Sequence, residues 1–216
     1  MADKSNKYGY VGINIPVQTD NQNVGVFSVN EIYDLINEGK YIKQGDLILL
    51  ESQDVTSVSN VQFTNLDESV YETHLVIFNN VQPATDNTYL QMNISNNGGS
   101  SYITSGLQTQ RMEHNTFGTV TEGKSTSFAN WVLGNPVGNG ANESVSGYLY
   151  LYGLGLSNRY SEMTFHSTLR DGNGFYTYNF GGGGYSQVQT HNAIKFSMNS
   201  GNIDTGQFSL YGLGMV

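Results

Sequence analysis

Leu90-Gln91-Met92-Asn93-Ile94-Ser95 sends Leu90, Met92 and Ile94 to one side of an extended chain and Gln91, Asn93 and Ser95 to the other. Side chains alternate every two residues along a strand and return every 3.6 in a helix, so this stretch reads as a half-buried strand with one wet face. Moving outward, Ile194, Phe196 and Met198 alternate with Lys195, Ser197 and Asn199, and Phe208 and Leu210 alternate with Gln207, Ser209 and Tyr211. Leu75-Val76-Ile77-Phe78 is apolar on both faces and belongs in the middle of a sheet. Tyr148-Leu149-Tyr150-Leu151-Tyr152 puts leucines on one face and a tyrosine row on the other. Turn signals separate these runs: Asn96-Asn97-Gly98-Gly99, Gly138-Asn139-Gly140, Asp171-Gly172-Asn173-Gly174, and the run Gly181 to Gly184. The pattern predicts an all-β chain whose residues 46–216 form an antiparallel β-sandwich of jelly-roll type.

Composition agrees with that reading and removes several functions. Charged residues are only 12% of the chain, but 15 Tyr and 10 Phe supply enough apolar surface for a core, which argues against disorder. With 26 Gly and 3 Pro, short strands joined by tight turns are expected. A net charge of -9 with 9 basic residues cannot neutralise a run of phosphates, so nucleic acid is not an expected partner. The absence of Cys rules out disulfides, thiolate catalysis and Cys-ligated zinc. Met1 to Asn6 is polar and leads into no apolar core, so no signal peptide is expected, and no stretch reads as a membrane span.

Residues 1–45 read differently, as an extended arm and one short helix. Pro16 keeps Tyr8 to Gln22 out of a helix. Ser28-Val29-Asn30-Glu31 is a capping box, with Val29, Ile32, Leu35 and Ile36 at helical spacing and Gly39 as the stop. A helix of that length, about Val29 to Glu38, is unstable alone, so its apolar face must dock on its own sandwich or on a neighbouring subunit. Val29, Ile32, Tyr33, Leu35 and Ile36 are therefore the candidate anchoring residues.

Most motifs have an ordinary reading. Asp171-Gly172-Asn173-Gly174 opens like a calcium loop, but the twelfth position is Gly182 where a Glu is needed, so a hairpin turn is expected. His74, His114, His166 and His191 lack metal-ligand spacing, and His74 and His166 are expected to face solvent or a partner from strands. No Gly-x-Ser-x-Gly elbow occurs, and the Gly181 to Gly184 run leads into neither Lys-Ser/Thr nor a helix, so no phosphate cradle is expected. Asn93-Ile94-Ser95 and Asn142-Glu143-Ser144 match the glycosylation pattern by coincidence in an Asn-rich chain. No catalytic, cofactor or metal residues are nominated. Tyr148, Tyr150 and Tyr152, with Trp131, form a candidate exposed aromatic interface, open to burial, to a subunit contact or to a glycan. Gly147 to Gly155 echoes Gly206 to Gly214, which reads as two core strands with similar demands rather than as a repeat.

Asn192-Ala193-Ile194-Lys195-Phe196-Ser197-Met198-Asn199-Ser200-Gly201-Asn202-Ile203-Asp204-Thr205-Gly206, closing with Leu210-Tyr211-Gly212-Leu213, resembles the ending of structural proteins of marine tailed phages, cyanophages among them. Phe63 to Leu66, His74 to Asp86, Asn97 to Tyr102 and Ser144 to Gly147 are similar to that family as well, and Gly25 to Tyr33 looks, more loosely, like its attachment segment. The resemblance covers about residues 55–216. It implies a β-sandwich component of the virion, head-associated or tail-fibre-like, with no catalytic residues to carry over.

The expected function is therefore a non-enzymatic structural protein on the exterior of a bacteriophage particle, as a head decoration, head fibre or knob. Its expected partners are the major capsid protein or tail and fibre proteins, and copies of itself, with a trimer as the first expectation. It would be assembled in the host cytoplasm. The alternative is a tail-fibre adhesin that binds host surface glycans; a sugar hydrolase is a third reading with nothing in the sequence to favour it.

Overall fold

The computed structural model describes residues 47–213 and, ahead of them, Asn30, Tyr33, Asp34 and Asn37. Those four are helical and exposed, Tyr33 by 64%. Val29, Ile32, Leu35 and Ile36, the rest of the expected anchoring face, lie outside the described residues. The chain divides into two compact units at Gln44–Gly45.

The second unit is built from β1 (Leu47–Val58), β2 (Val61–Phe63), β3 (Thr73–Pro83), β4 (Leu90–Ser95), β5 (Leu107–Asn115), β6 (Val120–Phe128), β7 (Trp131–Val132), β8 (Val145–Tyr152), β9 (Ser161–Arg170), β10 (Tyr176–Tyr185), β11 (Ala193–Met198) and β12 (Ile203–Leu213). An eight-stranded sheet runs β1-β12-β3-β8-β9-β10-β5-β6, and a four-stranded sheet runs β2-β11-β4-β7. Every pairing is antiparallel. Setting aside the β5–β6 and β9–β10 hairpins leaves two sheets of four, β1-β12-β3-β8 and β2-β11-β4-β7. That is the strand order of a jelly roll, two Greek keys folded into a sandwich. The two hairpins are inserted into it and continue the larger sheet outward from β8.

The alternating strands turn their apolar faces inward as their period demands. Phe63, Phe78, Phe165, Phe196, Phe208, Met92, Ile94 and Leu149 are fully buried between the sheets. Phe196 links the layers, edge-on to Phe63 at 6.4 Å and 5.2 Å from Phe208. Each such ring contributes about 1.5–3 kcal/mol by leaving water. The central placement of Leu75 to Phe78 follows, since β3 lies between β12 and β8. The Gly147/Gly206 echo also has a physical source: β8 and β12 flank β3, and Val76 is in register with Leu149 on one side and Leu210 on the other.

Asp171 to Gly174 is the hairpin turn between β9 and β10. The Asp171 carboxylate accepts the backbone N–H groups of Asn173 and Phe175 at 3.0 and 2.9 Å, and Gly174 takes the left-handed φ of +83°. Gly181 to Gly184, by contrast, is not a turn. It is the second half of β10, hydrogen-bonded to β5 and β9 on both sides. On the inner face a Cβ at Gly181 would meet Gln110 O at 2.4 Å and Phe165 Cε1 at 2.8 Å, and one at Gly183 would meet Gln108 O at 2.3 Å. Close approach of neighbouring backbone and rings, not chain reversal, is what those glycines serve.

Candidate functional site on the outer face of the large sheet

Register places a field of aromatic and amide side chains on the outer face of the eight-stranded sheet. Three adjacent rows cross six strands, from β12 through β3, β8, β9 and β10 to β5. One row reads Tyr211, Leu75, Tyr150, Thr164, Gly182, Gln110; the next reads Ser209, Ile77, Tyr148, His166, Phe180, Met112; the third pairs Gln207 with Asn79 and, across a break in the β3–β8 register after Phe78, continues as Ser146, Thr168, Tyr178, His114. None of these positions holds Asp, Glu, Lys or Arg. Charges begin where the field ends, with Asp54 on β1, Glu162 one row beyond, and the Glu122–Lys124 pair at 2.6 Å on β6.

The rings form one connected ridge. Tyr148 stacks on His166 at 5.3 Å with planes 5° apart, and Tyr150 stacks on Tyr152 at 6.2 Å. Tyr148 and Tyr150 meet edge-on at 6.0 Å, while Phe180 packs against His166, Tyr178 and His114 at 5.9 to 6.1 Å. Tyr178 Oη lies 2.5 Å from His166 Nδ1, and Tyr152 Oη 3.1 Å from Thr164 Oγ1, so hydroxyls at the rim hold the rings in place. Tyr148 is 40% exposed and Tyr178 45%, whereas Leu149 and Leu151, on the opposite face of the same strand as Tyr148, are buried.

Shallow depressions flank the ridge. One of about 450 Å³ has Leu75, Ile77, Tyr148 and Tyr150 for its apolar walls and Asn79, Ser146 and Thr168 at its polar rim. On the other side, depressions of about 370 and 430 Å³ share Gly182 and Gln110, the first against Phe180 and Met112, the second over Gly184 beside Gln108 and Lys124.

Of the residues expected to form an exposed aromatic interface, the structure thus brings Tyr148, Tyr150 and Tyr152 together on this face. Trp131 is a correction: it is fully buried at the start of β7, where its indole N–H donates to Gln108 O at 3.1 Å. A single Trp of that size fills the junction between the small sheet and the inserted hairpins, a core task. His74 is a second correction. It faces inward from β3, fully buried, with Nε2 2.6 Å from Leu66 O, and loss of hydration holds its pKa below the ordinary imidazole value.

His191 is buried against Ser161 in an arrangement that superficially suggests a nucleophile. Ser161 Oγ lies 2.7 Å from His191 Nδ1, and Gln189 Nε2 lies 3.2 Å from His191 Nε2. The Gln189 amide donates to Nε2, which leaves the proton on Nδ1 to be donated to the serine, the wrong direction for activating a hydroxyl. Both residues are fully buried, and desolvation lowers the His191 pKa to about 4. The pair joins a loop to β9 rather than meeting a substrate.

A polar seam on the inner face ties the inserted hairpins down. Arg111 donates through Nε to the buried Glu113 at 2.6 Å, and the Asn135 amide, with its nitrogen turned to the carboxylate, donates to Glu113 Oε1 at 3.0 Å. Asn179 Oδ1 accepts the Asn135 N–H at 3.1 Å, and Ser167 donates to Leu133 O at 2.7 Å. Among the described residues no group of three or more His, Cys, Asp or Glu side chains converges to hold a metal ion, and no helix is long and apolar enough to cross a membrane.

His166, Tyr178, Phe180 and Met112 join the site without having been nominated from the sequence. Tyr176-Thr177-Tyr178-Asn179-Phe180 carries the signal, an alternation that places its rings on one face, but the glycine run beside it hid the strand. No protein-family model, no curated protein and no solved structure matches the chain.

Proposed function

We propose that the chain is a non-enzymatic structural protein on the exterior of a bacteriophage particle, a head decoration, short fibre or knob. One observation carries the reading. The segments that resemble marine-phage structural proteins fall on β2, β3, the start of β8, β11 and β12, and on the loop after β4. These are strands and a connection of the jelly roll itself, and none lies in the inserted hairpins. A rigid scaffold that carries insertions suits a displayed particle component, because the scaffold fixes the body while the insertions extend the exposed face. Jelly rolls recur in viral capsid and lectin domains, and the architecture is compatible with such a role. Docking on a capsid or tail protein, and association with copies of the chain, would require a large complementary interface but no chemistry.

Antibody-gold labelling of intact particles whose genome encodes the chain tests the reading. Label spread over the head is the expected result. Label confined to the tail would replace head decoration with a tail-fibre role, and a chain absent from purified particles would sink both.

A further inference from the structure

The uncharged field on the large sheet has the size, shape and chemistry of a ligand site, and we infer that it binds a neutral glycan. The inference goes beyond a place on the virion and stands or falls independently of it. Size comes first. Six strands at about 4.8 Å and three rows spanning about 14 Å give roughly 400 Å². A stable contact with another protein, or with a second copy, needs about 800 Å² from each partner. An oligosaccharide lying across the strands needs far less.

Chemistry points the same way. A sugar ring has a C–H face that stacks on an aromatic ring and a rim of hydroxyls that bond to amides and other hydroxyls. Tyr148, 40% exposed and stacked by one face on His166, lines a depression whose rim carries exposed Asn79 and Thr168, and exposed Gln110 lies across the ridge on β5. Charge complementarity selects within the sugars. The field has no fixed cation to meet a carboxylate or sulfate, Lys124 at its edge is already paired with Glu122, and the chain as a whole carries -9. An acidic polysaccharide would be repelled, and a neutral one would not.

Gly184, opposite Glu162 one row beyond the field, lines the depression at the field's edge beside Gln108 and Lys124 and supplies a second argument. Its outward side meets nothing closer than Ser161 O at 3.5 Å, so an added Cβ would fit without displacing anything. A glycine in a strand, here the residue before the last of β10, costs stability relative to a residue with a side chain. The inner glycines of β10 are imposed by packing, but this one keeps the floor of a trough bare, and a ligand lying flat on the sheet explains it.

The test uses the purified full chain in native gels cast with single polysaccharides: a β-glucan, a mannan, a galactan and dextran as neutral probes, and alginate as the acidic one. Retardation by at least one neutral polymer is expected, with affinity falling about tenfold in Tyr148→Ala. Gly184→Thr should weaken binding equally while its melting temperature stays at or above the parent's, since Thr favours a strand. No retardation by any neutral polymer, retardation by alginate alone, or variants that bind like the parent would overturn the inference. So would sedimentation showing a concentration-dependent dimer that Tyr148→Ala abolishes, because the field would then be a protein contact.

Discussion

His191 shows how one buried side chain couples the fold to pH. Its pKa of about 4 lies below the ordinary value of 6.5, so as pH falls the unfolded chain takes up the proton first. The stability it contributes is complete above pH 6.5, is lost progressively as pH falls toward 4, and changes no further below that. The full loss is about 3 kcal/mol at about 1.4 kcal/mol per pH unit. His74, also lowered by burial, adds to the loss in the same direction. Urea midpoints measured from pH 7.5 to 4 should therefore fall, and His191→Gln should flatten the fall; a midpoint that rises toward pH 4 would contradict the assignment. The glycines of β10 give a second residue-scale prediction. Gly183→Ala drives a Cβ to 2.3 Å from Gln108 O and 3.0 Å from the Trp131 indole nitrogen, and should cost about 3 kcal/mol. Gly184→Ala, one residue away on the open side, should stay within about 0.5 kcal/mol. Thermal unfolding of the two variants decides it, since equal costs would mean that packing does not distinguish the two faces.

At the scale of elements, the inserted hairpins are held by different forces from those that hold the jelly roll. Hairpin tips β5–β6 and β9–β10 meet through Phe117 and Phe175, whose rings are 4.6 Å apart. Beneath them lies the seam of Arg111, Glu113, Asn135 and Asn179, where a buried carboxylate survives because a guanidinium and an amide face it. Removing one partner strands the other charge, so Glu113→Ala should cost about 3–5 kcal/mol. Arg111→Met in the same chain should recover most of that loss, because the pair is then replaced by apolar volume. Denaturant unfolding of both single variants and the double variant measures the coupling, and strictly additive costs would refute it. These elements also mark the limit of what could be read in the sequence. β4, β11 and β12 announce themselves by strict alternation, and the Asp171 turn by its chemistry. β10 was hidden, because four consecutive glycines signal a turn locally and become a strand only when Phe165, Trp131 and the neighbouring backbones close over them. Trp131 itself looked like an interface residue because nothing local reveals that the gap it fills exists.

For the whole molecule, strand order is the property that no local pattern carries. β1 pairs with β12 across the length of the unit, and β2 pairs with β11, so the sandwich closes only when its two ends meet. The candidate site inherits that closure: Tyr148, His166 and Phe180 come from three strands and become one ridge only in register. Its tyrosines were therefore visible in sequence as a row, while its partners on β9, β10 and β5 were not. Non-local pairing of this kind carries a loop-closure cost before contacts repay it, which places folding on the millisecond-to-second scale typical of β-sandwiches. The shared core also fixes how the molecule comes apart. Trp131, the single tryptophan, sits where β7 of the small sheet meets β5 of the inserted hairpins, so its fluorescence reports their junction. If the hairpins and the jelly roll are one cooperative body, the fluorescence transition in urea coincides with the loss of far-ultraviolet dichroism. That coincidence is the expected result. A fluorescence midpoint well below the dichroism midpoint would mean that the insertions unfold first from a jelly roll that stands without them, and the aromatic field would then be built half on a stable scaffold and half on a separable one.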